Sequence, residues 1–336
     1  MNVICGRLFA SSSSRLDNVS LAKRIISQTK VKDTKNAGES DNILNETKKV
    51  IASKRTTKVV TKNNFLEWVS FNSSYNSHYH YPGEKEMNPI NHFFNTASVK
   101  YEWGVSAFGD IPNEHLNKLY GNTISNAGNS KQFPGRTYVP YDIVKSLPEV
   151  IFISRTNAGK STLLNNLTTS FNQNRLDVSA KMSKSAGFTK TLNCFNIGNR
   201  FRLVDSPGYG FGSDIKQGII TMDYLKNRKE LMRSYLLVPG HKGFNELDLQ
   251  MVDFMVANGI SFEVIFTQMD RVKDIETFRK MLDASNVRNL STLPQLIFVN
   301  STLSKHCRKR FGIAYLRYSL FQSCSLEPGI RPLRKK

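Results

Sequence analysis

Residues 148–165 read PEVIFISRTNAGKSTLLN: an apolar run, a small polar loop ending in GKS, then a helical pattern. Strand, loop and helix in that order, with GK[ST] at the helix start, is the arrangement of a phosphate-binding loop. Backbone N–H groups of such a loop curl round a polyphosphate, and the helix N-terminus adds partial positive charge. Gly159 permits close approach, Lys160 can neutralise the terminal phosphates, and Ser161 can offer its hydroxyl to Mg2+. Ser154, Arg155, Thr156, Asn157, Ala158 and Thr162 complete the cradle. The pattern's first glycine is replaced by Ser154, which serves if its φ is not strongly positive.

Downstream, apolar runs alternate with helical patterns. The runs are Val150–Ile153, Leu192–Ile197, Phe201–Val204, Tyr235–Val238, Phe262–Phe266 and Leu296–Val299. Helices are expected at Lys160–Thr169, Ile215–Arg233, Glu246–Ala257, Ile275–Ala284 and Ile313–Phe321. This alternation predicts an α/β fold, a three-layer sandwich around a mainly parallel six-stranded sheet. The Gly-Asn-Arg turn at 198–200 predicts a hairpin, hence one antiparallel strand.

Phe201 to Gly208 reads FRLVDSPG. A strand ending in Asp205 puts a carboxylate at the sheet's C-terminal edge, where it can hold the Mg2+ water shell. Ser206 and Pro207 lead to Gly208, whose N–H can sense a γ-phosphate. Between the two motifs lies a small polar loop with Gly187, Phe188 and Thr189; Thr189 is a candidate mobile Mg2+ ligand. Thr267-Gln268-Met269-Asp270 ends another buried strand. A carboxylate there can accept N1–H and the N2 amino group of guanine, a donor pair adenine lacks, so Asp270 would select GTP or GDP over ATP. Asn300, Ser301 and Thr302 end the last strand, where backbone N–H groups can meet guanine O6.

The remaining composition narrows the field. Lys and Arg number 47 against 27 Asp and Glu, a net charge of +20, which suits a partner rich in phosphates. From Cys307 to the C-terminus the chain is strongly basic, including Arg308-Lys309-Arg310 and a final RPLRKK. No run reaches the roughly 18 apolar residues of a membrane span, which excludes integral membrane association. The four cysteines (Cys5, Cys194, Cys307, Cys324) are scattered, which excludes a disulfide scaffold or a cysteine zinc site. Residues 1–30 are basic, serine-rich and almost free of acids, as import segments for mitochondria or plastids are. Residues 31–95 read as a disordered or loosely packed basic linker, 96–147 as an accessory segment packing on the main domain, 148–325 as that domain, and 326–336 as a basic tail.

The motifs resemble those of the EngB (YihA) GTPases. Pro148–Asn165 is similar to their PEVAFAGRSNVGKSSLIN, Val204–Gly210 to VDLPGYGY, Ser185–Phe195 to TPGRTQLINFF, Pro239–Asp248 to DGRHP…DLD, and Thr267–Asp270 to TKxD. The resemblance implies a P-loop GTPase domain that binds GTP/GDP with Mg2+ and assists assembly of the large ribosomal subunit, with ribosomal RNA and the subunit precursor as partners. Together with the N-terminus it implies a monomeric mitochondrial member in the matrix. Lys160, Thr189 and Gly208 would serve catalysis; Ser161, Thr189 and Asp205 would hold the metal. The chain departs from the family pattern at Ser154, Ala186, Phe188 and Gln268, which bear on nucleotide affinity and turnover more than on fold. Tyr209 stands where Ras-type enzymes carry a water-orienting glutamine, so slow intrinsic hydrolysis is expected. Two other readings remain: a P-loop scaffold that binds ribosomal RNA without turnover, and an ATPase of the same fold.

Overall fold

The structure, a computed structural model, describes residues 66–126, 144–170, 190–210, 214–303, 307 and 309–335. The import-like segment at 1–30 lies outside the described residues. The first elements are α1 (66–74), α2 (Glu84–Thr96), β1 (Val99–Val105) and α3 (Pro112–Asn126). Then come β2 (Glu149–Ser154), α4 (Lys160–Thr168), β3 (Leu192–Ile197), β4 (Phe201–Asp205), α5 (Ile215–Asn227) and β5 (Leu231–Pro239). The last are α6 (Glu246–Ala257), β6 (Phe262–Thr267), α7 (Ile275–Ala284), β7 (Leu296–Phe298) and α8 (Ile313–Ser323).

The strands form one sheet in the order β1-β3-β4-β2-β5-β6-β7. The β4-β2-β5-β6-β7 pairings are parallel, and β3 runs against both of its neighbours. The antiparallel strand is the one the Gly-Asn-Arg turn predicted. Strand β2 is buried along its whole length because helices cover both faces. Val150 and Phe152 point into one core with α2, α4 and α8; Ile151 and Ile153 point into the other with α5, α6 and α7. That is the expected three-layer sandwich.

Three elements differ from the sequence reading. The helix expected over Ile215–Arg233 ends at Asn227, and β5 starts at Leu231. A seventh strand, β1, comes from the segment expected to be accessory, and extends the sheet beside β3. Buried charges tie that segment down. Arg202 on β4 donates to Glu102 on β1 at 2.6 Å and to the Lys145 carbonyl at 2.8 Å. Arg228 pairs with Glu149 on β2 at 2.7 Å and with Glu114 on α3 at 2.9 Å.

The third difference concerns 66–95, read from sequence as a loose linker. Trp68, Phe71, Ile90, Phe93 and Phe94 are all buried there. Each such side chain contributes about 1.5–3 kcal/mol of transfer free energy, enough to hold short polar helices onto the domain. Two asparagines one helical turn apart make the contact specific. Asn72 Nδ2 donates to the Phe298 carbonyl at 2.9 Å, while Phe298 N donates to Asn72 Oδ1 at 2.8 Å. Asn76 does the same with Leu296, at 2.8 and 2.9 Å. The amides thus stand in for an eighth strand along the β7 edge, which would otherwise leave backbone groups unpaired.

Helix α8 secures the far end of α4. Arg317 is fully buried and donates to the carbonyls of Leu167 and Thr169, both at the α4 C-terminus, where a cation is favoured. Burial, and secondarily Arg310, hold its guanidinium down at about 9.

Asn72→Ala leaves a buried N–H and carbonyl of β7 unpaired and should cost about 2 kcal/mol. A urea midpoint unchanged from the parent protein would show that the amide pair contributes nothing.

Candidate functional site

The loop between β2 and α4 begins where β2 leaves the sheet. Ser154 is not among the positive-φ residues, so a serine fits at the first-glycine position without strain. Left-handed backbone is needed instead at Asn157 (φ 64°) and at Gly159 (φ 89°), which caps α4. Gly159 leaves the helix N-terminus without a side-chain cap, so its N–H groups face the cradle.

Strand β4 runs parallel beside β2, with Phe152 opposite Asp205. The pairing delivers the Asp205 carboxylate to the start of α4. Lys160 Nζ lies 2.5 Å from Asp205 Oδ1, and Ser161 Oγ donates to Oδ2 at 3.3 Å. Lys160 and Asp205 are 7% and 3% exposed, so each charge depends on the other. Among the described residues no cluster of three His, Cys, Asp or Glu could hold a metal by itself. One carboxylate and one hydroxyl suit Mg2+, which binds through few protein ligands and takes its remainder from phosphates and water. The donor set therefore fits a metal that arrives with a polyphosphate.

The segment after Asp205 lies on the loop. Tyr209 N donates to the Ser154 carbonyl at 3.0 Å, and Thr156 N donates to the Tyr209 carbonyl at 3.2 Å. Gly208 is pressed against Thr156: a Cβ there would sit 3.0 Å from its Cα. No larger residue fits at 208 without moving the loop. Ser206 is buried and donates to the Pro207 carbonyl.

Sequence reasoning missed the cluster behind this contact. The Asp248 carboxylate, fully buried on the first turn of α6, accepts from the Tyr209 hydroxyl at 2.7 Å. It also lies 3.0 Å from Arg155 Nε. Asn245 and Asp248 form a reciprocal cap that fixes the carboxylate. Burial, then the neighbouring Asp248, push the Tyr209 phenol well up, so it remains a donor. Burial likewise raises Asp248 against the pull of Arg155. The Tyr209 side chain is thus committed to Asp248 and is not free to orient a water. The available signal was Leu247-Asp248, which in the sequence forms only part of the DGRHP…DLD resemblance and has no assigned role there.

A cavity of about 130 Å3 opens beside the loop and is lined by Gly159, Thr162, Thr267, Gln268, Asp270 and Asn300–Thr302, together with Arg271. Thr267 and Gln268 fasten this rim to the loop, donating to the carbonyls of Ala158 (2.7 Å) and Asn157 (3.2 Å). Met269 is not part of the cavity: it is fully buried beneath Gly240. Arg271, one residue beyond the Thr267–Asp270 motif, donates to Gln268 Oε1 at 2.9 Å and brings a guanidinium to the rim where Gln268 has no charge. Gly187, Phe188 and Thr189 lie outside the described residues. The remaining sequence candidates sit on one edge of the sheet, around the loop and this cavity.

Residues 149–268 match the family described as 50S ribosome-binding GTPase (MMR_HSR1). The chain is 45% identical over 267 residues to MIOREX complex component 8 of Saccharomyces cerevisiae, covering 79% of this chain and 82% of that protein. It is 35% identical over 184 residues to the probable GTP-binding protein EngB of Rickettsia prowazekii, covering 53% of this chain and 79% of that one. A crystal structure of a probable GTP-binding protein engB superposes with a TM-score of 0.39 at 21% identity, over 53% of this chain and 98% of that chain.

Asp248→Asn removes the buried carboxylate that pairs with the partly buried Arg155 and accepts from Tyr209, and should destabilise the protein by about 2 kcal/mol. Tyr209→Phe, which loses one hydrogen bond to a charged group, should cost about 1.5 kcal/mol. Equal denaturation midpoints for both variants and the parent would argue against the cluster.

Proposed function

The chain belongs to the EngB family of GTP-binding proteins, and from that premise we propose that it is a slow, Mg2+-dependent GTPase switch that assists assembly of the mitochondrial large ribosomal subunit. The observation that carries this reading is the gathering of Lys160, Ser161 and Asp205 at one end of the sheet, next to a cavity lined by Asp270 and Asn300–Thr302. The loop has the charge and N–H donors for phosphates; the cavity has a carboxylate just past the end of a buried strand for a base.

In this reading Lys160 leaves Asp205 and turns to the β- and γ-phosphates, and the loop residues 154–162 wrap them through backbone N–H groups. Asp205, Ser161 and Thr189 hold Mg2+, which when bound offsets charge on the phosphate oxygens. Gly208 offers its N–H to the γ-phosphate. Asp270 accepts from guanine, with the Asn300–Thr302 backbone facing O6. The Tyr209 hydroxyl is bound to Asp248, so no side chain at this position holds the attacking water, and intrinsic turnover is slow.

The ribosomal and mitochondrial parts of the proposal rest on three supports. Residues 149–268 fit the 50S ribosome-binding GTPase description. The +20 net charge suits ribosomal RNA. The basic, serine-rich N-terminus suits import to the matrix, with 1–30 as the transit segment and 148–325 as the GTPase unit. Sedimentation with mitochondrial ribosomal particles, with and without a non-hydrolysable GTP analogue, tests this part. Failure to bind any nucleotide, with RNA binding kept, would favour the scaffold reading.

Asp270→Asn should move preference from guanine to xanthine nucleotides by at least tenfold in an equilibrium titration; unchanged guanine selectivity removes Asp270 from base recognition. Isolated protein should hydrolyse GTP far below one turnover per second and speed up with ribosomal particles. Several turnovers per second without a partner would contradict the account of Tyr209.

A further inference from the structure

The C-terminal residues are not a free tail. Ser98 N donates to the Leu333 carbonyl at 2.7 Å, Leu333 N to the Gly198 carbonyl at 2.8 Å, and Lys335 N to the Thr96 carbonyl at 3.0 Å. These bonds lay 333–335 along the entry to β1 and the β3–β4 turn. They bring together cations from three distant parts of the sequence. Lys100 on β1 and Arg334 line one cavity of about 270 Å3, together with Ser98, Asn196 and Asn199. Arg200, next to Asn199, is held at its side by a 3.0 Å bond from Nε to the Arg331 carbonyl.

Lys100, Arg200, Arg331 and Arg334 are all exposed, and none forms an ion pair among the described residues. The one acid in the cavity, Glu102, is already bound by the buried Arg202 and by Asn196. Positive charge therefore stands unopposed around a concave, amide-bearing wall, on the β1 edge of the sheet. The nucleotide cavity lies at the carboxyl ends of β2, β4 and β6, so the two surfaces do not overlap.

We propose that this cavity is a docking surface for single-stranded RNA, with Lys100, Arg200, Arg331 and Arg334 on phosphates and the Ser98 hydroxyl and Asn199 amide facing ribose or a splayed base. Cations give affinity without sequence preference, while a recessed hydroxyl and amide can reach hydrogen-bonding groups only of a strand that enters the hollow. A flat anionic bilayer would meet the cations but not these two groups. The proposal gives a location to the RNA partner proposed above and rests on that reading; RNA binding is measured without nucleotide, and GDP binding separately, so either can fail alone.

The test uses the full chain and a labelled 20-nucleotide poly(U) RNA, titrated across a range of KCl concentrations. Replacing Lys100, Arg200, Arg331 and Arg334 together by Ala should flatten the slope of log affinity against log salt by about 3, at about 0.7 per lost phosphate contact. GDP affinity and thermal midpoint should stay as in the parent. An unchanged slope overturns the proposal, as does RNA binding that survives while binding to vesicles rich in anionic lipid is lost. If the fourfold variant does not fold, Arg334→Glu reads the same quantity: a slope flatter by about 1 supports the surface, and no change rejects it.

Discussion

A lysine ammonium and an aspartate carboxylate, nearly sealed from water, meet at the ends of two neighbouring parallel strands, and the rest of the protein is arranged around keeping those ends together. The Lys160–Asp205 pair exists because β2 and β4 are in register with Phe152 opposite Asp205. Two charges removed from water are costly unless each has a partner. The pair therefore resists any change that moves one strand end without the other. A polyphosphate entering the loop would offer Lys160 a richer anion, and a cation accompanying it would offer the same to Asp205. Such an exchange would leave neither charge orphaned, and so would let this buried pair open at little cost.

The support for that pair comes from outside the motif. Tyr209, Arg155 and Asp248 join the loop, the segment after Asp205, and helix α6 in one buried cluster. Arg317 holds the opposite end of α4. Glu102 and Glu114, from the region before β2, neutralise arginines at the amino ends of the central strands. The segment expected to be accessory is thus bonded into the electrostatics of the sheet.

Much of this was legible in the sequence. The six apolar runs became strands because strands covered by helices on both faces are apolar throughout, and the motif order placed Lys160, Asp205 and Asp270 on one edge. What could not be read was long-range. Residues 66–95 look polar and aperiodic because their anchors are a few aromatic side chains and two asparagines whose partners lie more than two hundred residues away. Strand β1 carries Lys100, Tyr101 and Glu102 and lacks an apolar run, since it lies at the sheet edge. The end of α5 was placed too late because Lys226, Arg228 and Lys229 suit a helix terminus as well as a helix interior; Arg228 instead turns inward to Glu149.

The asparagine ladder also dictates an order of events. Asn72 reaches Phe298 across 226 positions. A ribosome adding about 5–20 residues per second makes the helix carrying Trp68 and Phe71 on the order of ten to forty seconds before the strand that will receive it. For that interval two large aromatic side chains have nowhere to go. The union of this helix with β7 is thereby held back until the strand has been made, and a chain that stops short of β7 leaves the aromatic face of the helix uncovered.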